Sequence, residues 1–330
     1  MSEPAVSVVE SKSKVRQIKS LAVGDFVARH GRSLHLELEG KDTGAARKIL
    51  EPSINRPGLA LAGFYLYFAY KRVQVLGNSE FAYLTNLHEA AQRTAFDTLC
   101  HSEIPVLVTC RGRHLPAHLI EMANASGVNV YRSTMNTIRF INACTLALEW
   151  DFAPQASEHG CMVDVKGIGV LIKGDSGMGK SEAVVGLLER GASLVADDKV
   201  NFRAPEGREL TGTAEELGRF HLEVRGLGIV NVPLLFGVAS MRVEKRLDLV
   251  LHLKTLDKFD DVDRLGTDQR CYRLLGADIP YMEIPVAPGR DVARMVEVAA
   301  LEQKLRSFGH HSAVEFNKKL LQVMEEKRIS

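Results

Sequence analysis

The stretch Gly174-Asp-Ser-Gly-Met-Gly-Lys-Ser181 constrains what this chain can fold into more than any other. It fits G-x-x-x-x-G-K-[ST], with Gly174, Gly179, Lys180 and Ser181 in the required places. The spacing has a chemical reason. Glycines let successive backbone N–H groups, including those of Asp175, Ser176, Gly177 and Met178, converge on phosphate oxygens. The lysine reaches the outer phosphates as a point charge, and the serine hydroxyl is placed to ligate Mg²⁺. Such a loop requires a buried strand before it and a helix N-terminus behind it. Ile168–Lys173 is apolar and β-branched, and Lys180 to Arg190 carries Ala183, Val184, Leu187 and Leu188 at helical spacing before a Gly191 stop. The order strand, phosphate loop, helix is therefore expected.

At 330 residues the chain is long enough for two domains. With 42 basic against 41 acidic residues, the net charge of +1 gives no sign of a nucleic-acid or membrane-surface protein. No apolar run approaches the length of a membrane span, and Met1–Lys14 lacks a signal-peptide apolar core, so the cytoplasm is the expected location. Five scattered cysteines, with no C-x-x-C pair, read as reduced core or near-core residues. His114 and His118 lie four apart without an acidic residue at ligand spacing, which favours a structural or surface role.

Residues 1–14, rich in Ser, Glu and Lys, read as a disordered leader. Residues 15–150 alternate strand patterns (34–40, 72–76, 105–110, 128–131) with helical ones (from Ser79, from Pro116, and 134–149), which predicts an α/β domain without a legible activity. A boundary is expected near Trp150 to Gln155, followed by a second domain over 151–330. There Cys161–Lys166 and the strand at Ile168 form two strands joined by a tight turn, so the phosphate loop follows an antiparallel pair rather than the first strand of a purely parallel sheet.

After the loop helix, Ser193-Leu-Val-Ala-Asp-Asp198 is a short strand ending in two carboxylates. One acid of such a pair can serve a metal while its neighbour accepts a proton from an attacking hydroxyl. Alternation along a strand does not choose between Asp197 and Asp198. Further on, Glu223 and Arg225 share a face if their stretch is a strand, with Gly226 and Gly228 permitting close backbone approach. Helical spacing returns at Val292–Phe308, and Ser312 with Glu315 forms a capping box ahead of a last helix.

Taken in order, the second half resembles HPr kinase/phosphorylase. The residues that carry the resemblance are His159-Gly160, the loop Gly174–Ser181 with Glu182, Val195-Ala-Asp-Asp198, Glu223-Val-Arg-Gly-Leu-Gly228, Asp263-Arg-Leu-Gly266 and Ile284-Pro-Val-Ala-Pro-Gly-Arg290. They span about residues 150–310. The resemblance implies a two-domain α/β protein whose C-terminal phosphate-loop kinase domain has a mixed sheet resembling the phosphoenolpyruvate carboxykinase-like nucleotide-binding core. It implies ATP on the loop, Lys180 on the phosphates, Ser181 and Glu223 on Mg²⁺, and an aspartate, Asp198 in the family pattern, as the base toward a serine of HPr. His159 and Arg264 complete the implied site, and Pro285, Val286, Ala287, Pro288, Gly289 and Arg290 are associated with phosphorolysis, in which inorganic phosphate removes the serine phosphate as pyrophosphate. A homohexamer is implied as well. Two other readings stay open at this point: an ATP-dependent small-molecule enzyme of carboxykinase-like fold, and a non-catalytic nucleotide sensor.

Overall fold

A computed structural model describes residues 7–205, 209–258, 270–287 and 289–329. The chain divides into two compact units, one made of residues 17–153 and the other of residues 1–16 together with 154–330.

In the first of these, a five-stranded sheet has the order Leu36–Glu39, Asn129–Ser133, Val106–Thr109, Val73–Leu76, Ile54–Asn55. Its first pair is antiparallel and the others are parallel. Strands buried on both faces read as unbroken apolar runs, as Val106-Leu-Val does. Val106 and Val108 pack toward Phe140, Cys144 and Leu148 of the helix Thr137–Phe152. Leu107 faces the other way, toward Phe96, Leu99 and Leu119 of the helices Glu89–His101 and Ala117–Ala125. His114 pairs through Nδ1 with buried Glu39 at 2.6 Å, a structural contact of the kind expected for it.

The second unit is built on a seven-stranded mixed sheet. Its order is Ser7–Glu10, Arg270–Leu274, Ala277–Val286, Leu249–Thr255, Ile168–Lys173, Cys161–Val165, Ser193–Ala196. Ile168–Lys173, Leu249–Thr255 and Ala277–Val286 run parallel, whereas Cys161–Val165 is antiparallel to both of its neighbours. The hairpin Cys161–Lys173 closes on a two-residue turn, Lys166-Gly167, with both residues at positive φ, as a type I′ turn requires. One face of the sheet, through Cys161, Val163, Val170, Ile172, Leu249 and Leu251, packs on Val184 and Leu187 of the loop helix Lys180–Glu189 and on Val296 of the helix Val292–Ser307. The other face, through Met162, Leu171 and Val250, packs on Val200 and Phe202 of an antiparallel four-stranded sheet ordered Glu244–Arg246, Thr211–Ala214, Lys199–Arg203, Gln155–His159. A separate hairpin pairs His221–Val224 with Gly228–Asn231.

The leader expected to be disordered is ordered from Ser7 on. Ser7–Glu10 is an edge strand, parallel to Arg270–Leu274, and Arg16 exchanges backbone hydrogen bonds with Gln155 at 2.8 and 2.7 Å. Its β-branched Val8 and Val9 find pairing partners far along the chain, which local composition cannot reveal. Among the described residues no helix is long and apolar enough to cross a membrane.

Candidate active site

The strand Ile168–Lys173 delivers its chain straight into the loop at Gly174, where φ is 155°. Gly177 and Gly179 follow at φ 83° and 80°, a left-handed conformation that a β-carbon would strain. Lys180 begins the loop helix, and its ammonium donates to the carbonyls of Gly174 at 2.9 Å and Asp175 at 3.1 Å. The lysine thus ties the two ends of its own loop together.

A cavity of about 170 Å³ opens over this loop. From the loop it is lined by Ser176, Gly177, Gly179, Lys180 and Ser181, and from elsewhere by Cys161, Glu182, Asp197, Asp198, Glu223 and Arg225. Four sequence segments spread over some sixty residues therefore converge on one space. The arrangement follows from where strands stop. Ser193–Ala196 ends before the two aspartates, and Asp198 turns the chain at φ 59°, so both carboxylates reach the cavity although strand alternation would separate them.

The two acids are held differently. Asp197 is half-buried and accepts two hydrogen bonds: its Oδ1 from the Cys161 thiol at 2.9 Å, its Oδ2 from the backbone N–H of Glu223 at 3.0 Å. Burial, followed by the adjoining Asp197 charge, raises the Cys161 thiol well above its ordinary range, so the thiol keeps its proton and remains a donor. Asp198 is exposed, and among the described residues its carboxylate takes no hydrogen bond. An oriented carboxylate stands beside one that has no hydrogen-bond partner among the described residues.

Glu223 lies on the strand His221–Val224, and Arg225 follows just past its end; both are exposed and line the cavity. A β-carbon on Gly177 would come within 3.4 Å of Arg225 Nη1, so the guanidinium stands against the phosphate loop. Gly226 and Gly228, at φ 89° and 85°, turn the hairpin that carries them. His159 is exposed at the end of Gln155–His159, opposite Lys199, and does not line this cavity. It remains beside the acid pair in the chain's path, since Gly160 N–H donates to Asp198 O at 2.9 Å.

Pro285 and Val286 end the long strand Ala277–Val286, and Arg290 folds back, donating to Pro285 O at 3.3 Å. Val286, Ala287 and Arg290 line a second cavity of about 700 Å³ that continues past Gly177, Met178 and Gly179 on the other side of the loop. Gly289 is exposed at φ 81°. Arg264 and Pro288 lie outside the described residues.

Three participants escaped the sequence reading. Cys161 reads as core and is core, at 1% exposure, yet its sulfur also meets Asp197; its place directly after His159-Gly160 is the signal that would have found it. Arg190 and Asp291, paired at 2.7 Å, border the second cavity. Neither stands in a motif.

Fold and site together define an α/β protein of two compact units, with a carboxylate pair and a glycine-rich loop ahead of a helix lining one cavity. The HPr Serine kinase C-terminal domain family matches residues 150–320, and the HPr Serine kinase N terminus family matches residues 21–148. HPr kinase/phosphorylase of Bacillus pumilus is 40% identical over 292 residues, which covers 88% of this chain and 94% of that protein. The protein of the same name from Leptospira biflexa is 38% identical over 92% of this chain and 95% of its own length. The solved structure of the Hpr(Ser) kinase/phosphatase from Coxiella burnetii is 28% identical and superposes with a TM-score of 0.45, covering 48% of this chain and 97% of that one. This chain belongs to the HPr kinase/phosphorylase family.

Proposed function

We propose that this protein transfers the γ-phosphoryl group of ATP, or a phosphoryl group of pyrophosphate, to a regulatory serine of the phosphocarrier HPr, and removes it by phosphorolysis with inorganic phosphate. The observation that carries the reading is the convergence of the loop, both aspartates, Glu223 and Arg225 on one cavity.

Phosphoryl transfer asks little covalent work of a protein. It needs an in-line hydroxyl, a base within hydrogen-bond reach, and positive charge around the transferring group. In the proposed forward direction Lys180 leaves the Gly174 and Asp175 carbonyls to hold the outer phosphates, while the loop N–H groups and Arg225 meet the equatorial oxygens. Asp198, its carboxylate without a hydrogen-bond partner among the described residues, takes the proton of the attacking serine hydroxyl as its oxygen bonds to phosphorus, the bridging O–P bond breaks, and ADP, or inorganic phosphate where pyrophosphate is the donor, leaves. In reverse, inorganic phosphate in the cradle attacks the phosphoserine phosphorus, the serine oxygen recovers the proton from Asp198, and pyrophosphate leaves. His159 and Arg264 are assigned to the same reaction through the family pattern, and Pro285–Arg290 to its reverse.

Magnesium is proposed as the cofactor. Among the described residues no three His, Cys, Asp or Glu side chains form a ready-made metal cage. Mg²⁺ needs none: it is held by one or two protein oxygens together with phosphates and water. Ser181, Glu223 and the aspartate pair, all hard oxygen donors on one cavity wall, fit that demand. When bound, the ion neutralises charge developing on the phosphates. A relation of the mixed sheet to the phosphoenolpyruvate carboxykinase-like core is supported by the antiparallel strand Cys161–Val165 beside the loop strand. Assembly into a homohexamer is supported by the exposed apolar side chains Leu227, Ile229, Leu234, Leu235 and Val238. The cytoplasm, where HPr would be met, is the proposed location.

The test is transfer of labelled γ-phosphate from ATP with Mg²⁺ to HPr and to HPr lacking its regulatory serine, followed by a chase with inorganic phosphate. Label on intact HPr alone, released as pyrophosphate, is the expected result. ATP binding with no label on HPr would overturn the substrate assignment and favour a metabolite kinase or a sensor.

A further inference from the structure

The segment Ser7–Arg16 lies ahead of the residues matched by the family's N-terminal domain, which begin at 21. It is nevertheless bonded into the catalytic unit at four successive points. Val9 pairs with Tyr272 in the strand ladder, and Ser11 N–H donates to Arg273 O at 3.0 Å. Ser13 Oγ donates to Ser157 O at 2.6 Å, and Arg16 closes the path on Gln155. The arm therefore crosses from the edge strand of the seven-stranded sheet to the edge strand of the four-stranded one.

At the centre of that path is Glu158, a carboxylate only 4% exposed. The Ser11 hydroxyl donates to its Oε1, the Ser13 hydroxyl, 2.8 Å from the same oxygen, shares its one proton between it and Ser157 O, and Lys173 donates to its Oε2. Lys173 also donates to Tyr272 OH at 2.8 Å and lies 4.7 Å from that ring's centre. Burial works against both charges. The hydrogen bonds from Lys173, Ser11 and Ser13 outweigh it and hold Glu158 below the usual carboxylate range, while those to Glu158 and Tyr272 hold Lys173 above its own.

A buried ion pair is stable only when its remaining lone pairs and protons are satisfied. Here the arm supplies that satisfaction, and each member of the pair sits one residue before the site. Lys173 precedes Gly174, the first residue of the phosphate loop; Glu158 precedes His159-Gly160, whose N–H holds Asp198 O.

We propose that the N-terminal arm is a positioning element for the phosphate loop, with Ser11 and Ser13 completing the hydrogen-bond shell of Glu158 so that the Glu158–Lys173 pair fixes the base of the loop. The proposal rests on the reading of that loop as a nucleotide-phosphate cradle. Neither serine touches substrate; both act through Glu158.

The experiment compares the full chain with its Ser11→Ala/Ser13→Ala double variant, a Ser11→Thr/Ser13→Thr variant that keeps both hydroxyls, and a chain lacking residues 2–14. ATP affinity is read with a fluorescent nucleotide, and kcat and KM are read with HPr, at a temperature where all four are folded. The double alanine variant and the truncated chain are expected to bind ATP roughly 3–10-fold more weakly, the loss set by net hydrogen-bond strengths, with the threonine variant restored to within about twofold. Unchanged ATP affinity and unchanged KM in both the alanine variant and the truncated chain, with only a lower Tm, would overturn the proposal and leave the arm as edge protection. A full chain that binds neither ATP nor pyrophosphate would instead overturn the cradle reading, and the proposal with it.

Discussion

Exchanging each aspartate for asparagine in turn separates the two roles assigned to the pair. Asp197→Asn keeps one acceptor but turns an amide N–H₂ toward the second of two donors, the Cys161 thiol and the Glu223 N–H. The thiol is the weaker donor, so the amide oxygen goes to Glu223 N–H and the contact with sulfur is lost. Replacing charge-assisted bonds by a single neutral one costs about 2 kcal/mol. In a unit of this size that corresponds to a fall in Tm of roughly 4–8 °C. Asp198→Asn removes no hydrogen bond among the described residues, and asparagine tolerates the left-handed φ of 59° well. Its Tm is expected to stay within about 1 °C, while loss of the base lowers labelled-phosphate transfer to HPr on the order of 10²–10⁴-fold. Thermal melts and transfer rates on the same preparations decide. If Asp198→Asn keeps more than about a tenth of the transfer rate, or melts as low as Asp197→Asn, the division of labour is wrong.

Lys180→Ala is expected to abolish transfer in both directions, a loss of at least about 10²–10³ measurable with ATP and with pyrophosphate. Arg225→Ala, which withdraws the guanidinium from Gly177, is expected to lower kcat/KM on the order of 10²-fold without a change in Tm. Cys161→Ser keeps a donor to Asp197 and is expected to retain transfer within about threefold, whereas Cys161→Val, which removes it, lowers kcat about tenfold; steady-state kinetics separates the two. Because Glu158 is held below its ordinary value, its stabilising contribution is complete above about pH 4.3 and is lost as pH falls through its folded value. Melts between pH 3 and 7 should therefore show a shallower acid limb for Glu158→Gln than for the unaltered chain.

What the sequence made legible was whatever a local pattern dictates. The phosphate loop is a motif whose glycines, lysine and hydroxyl are spaced by its ligand, and the strand and helix flanking it are long enough to show their periods. Two of the helices packed on the N-terminal unit's sheet, Ala117–Ala125 and Thr137–Phe152, were visible for the same reason. The arm was not, because the four residues Ser7–Glu10 are stabilised by partners about 260 positions away, and its serines look solvated until Glu158 is seen beneath them. Thr211–Ala214 was hidden by its glycine, which suggests a loop. A β-carbon at Gly212 would stand 2.3 Å from the Met162 sulfur, so close packing of the two sheets, not a turn, requires it. Alternation along Ser193–Asp198 failed as a guide to the acid pair because the strand stops at Ala196 and the chain turns.

The antiparallel run of Cys161–Val165 decides which part of the chain the site can recruit. In a purely parallel sheet, neighbouring strands bring only their finishing ends to a phosphate loop, and the residues leading into a strand lie at the opposite rim, about 16 Å away for five residues. Here Cys161 is registered against Ile172, so the residues entering the strand, His159 and Gly160, arrive beside the residues leaving its partner. The Lys166-Gly167 turn at the far rim is then a ruler for the site. A residue inserted within Cys161–Val165 would displace Cys161 by about 3.3 Å and swing its thiol to the other face of the sheet, away from Asp197. The same residue added to the turn leaves both ends where they are.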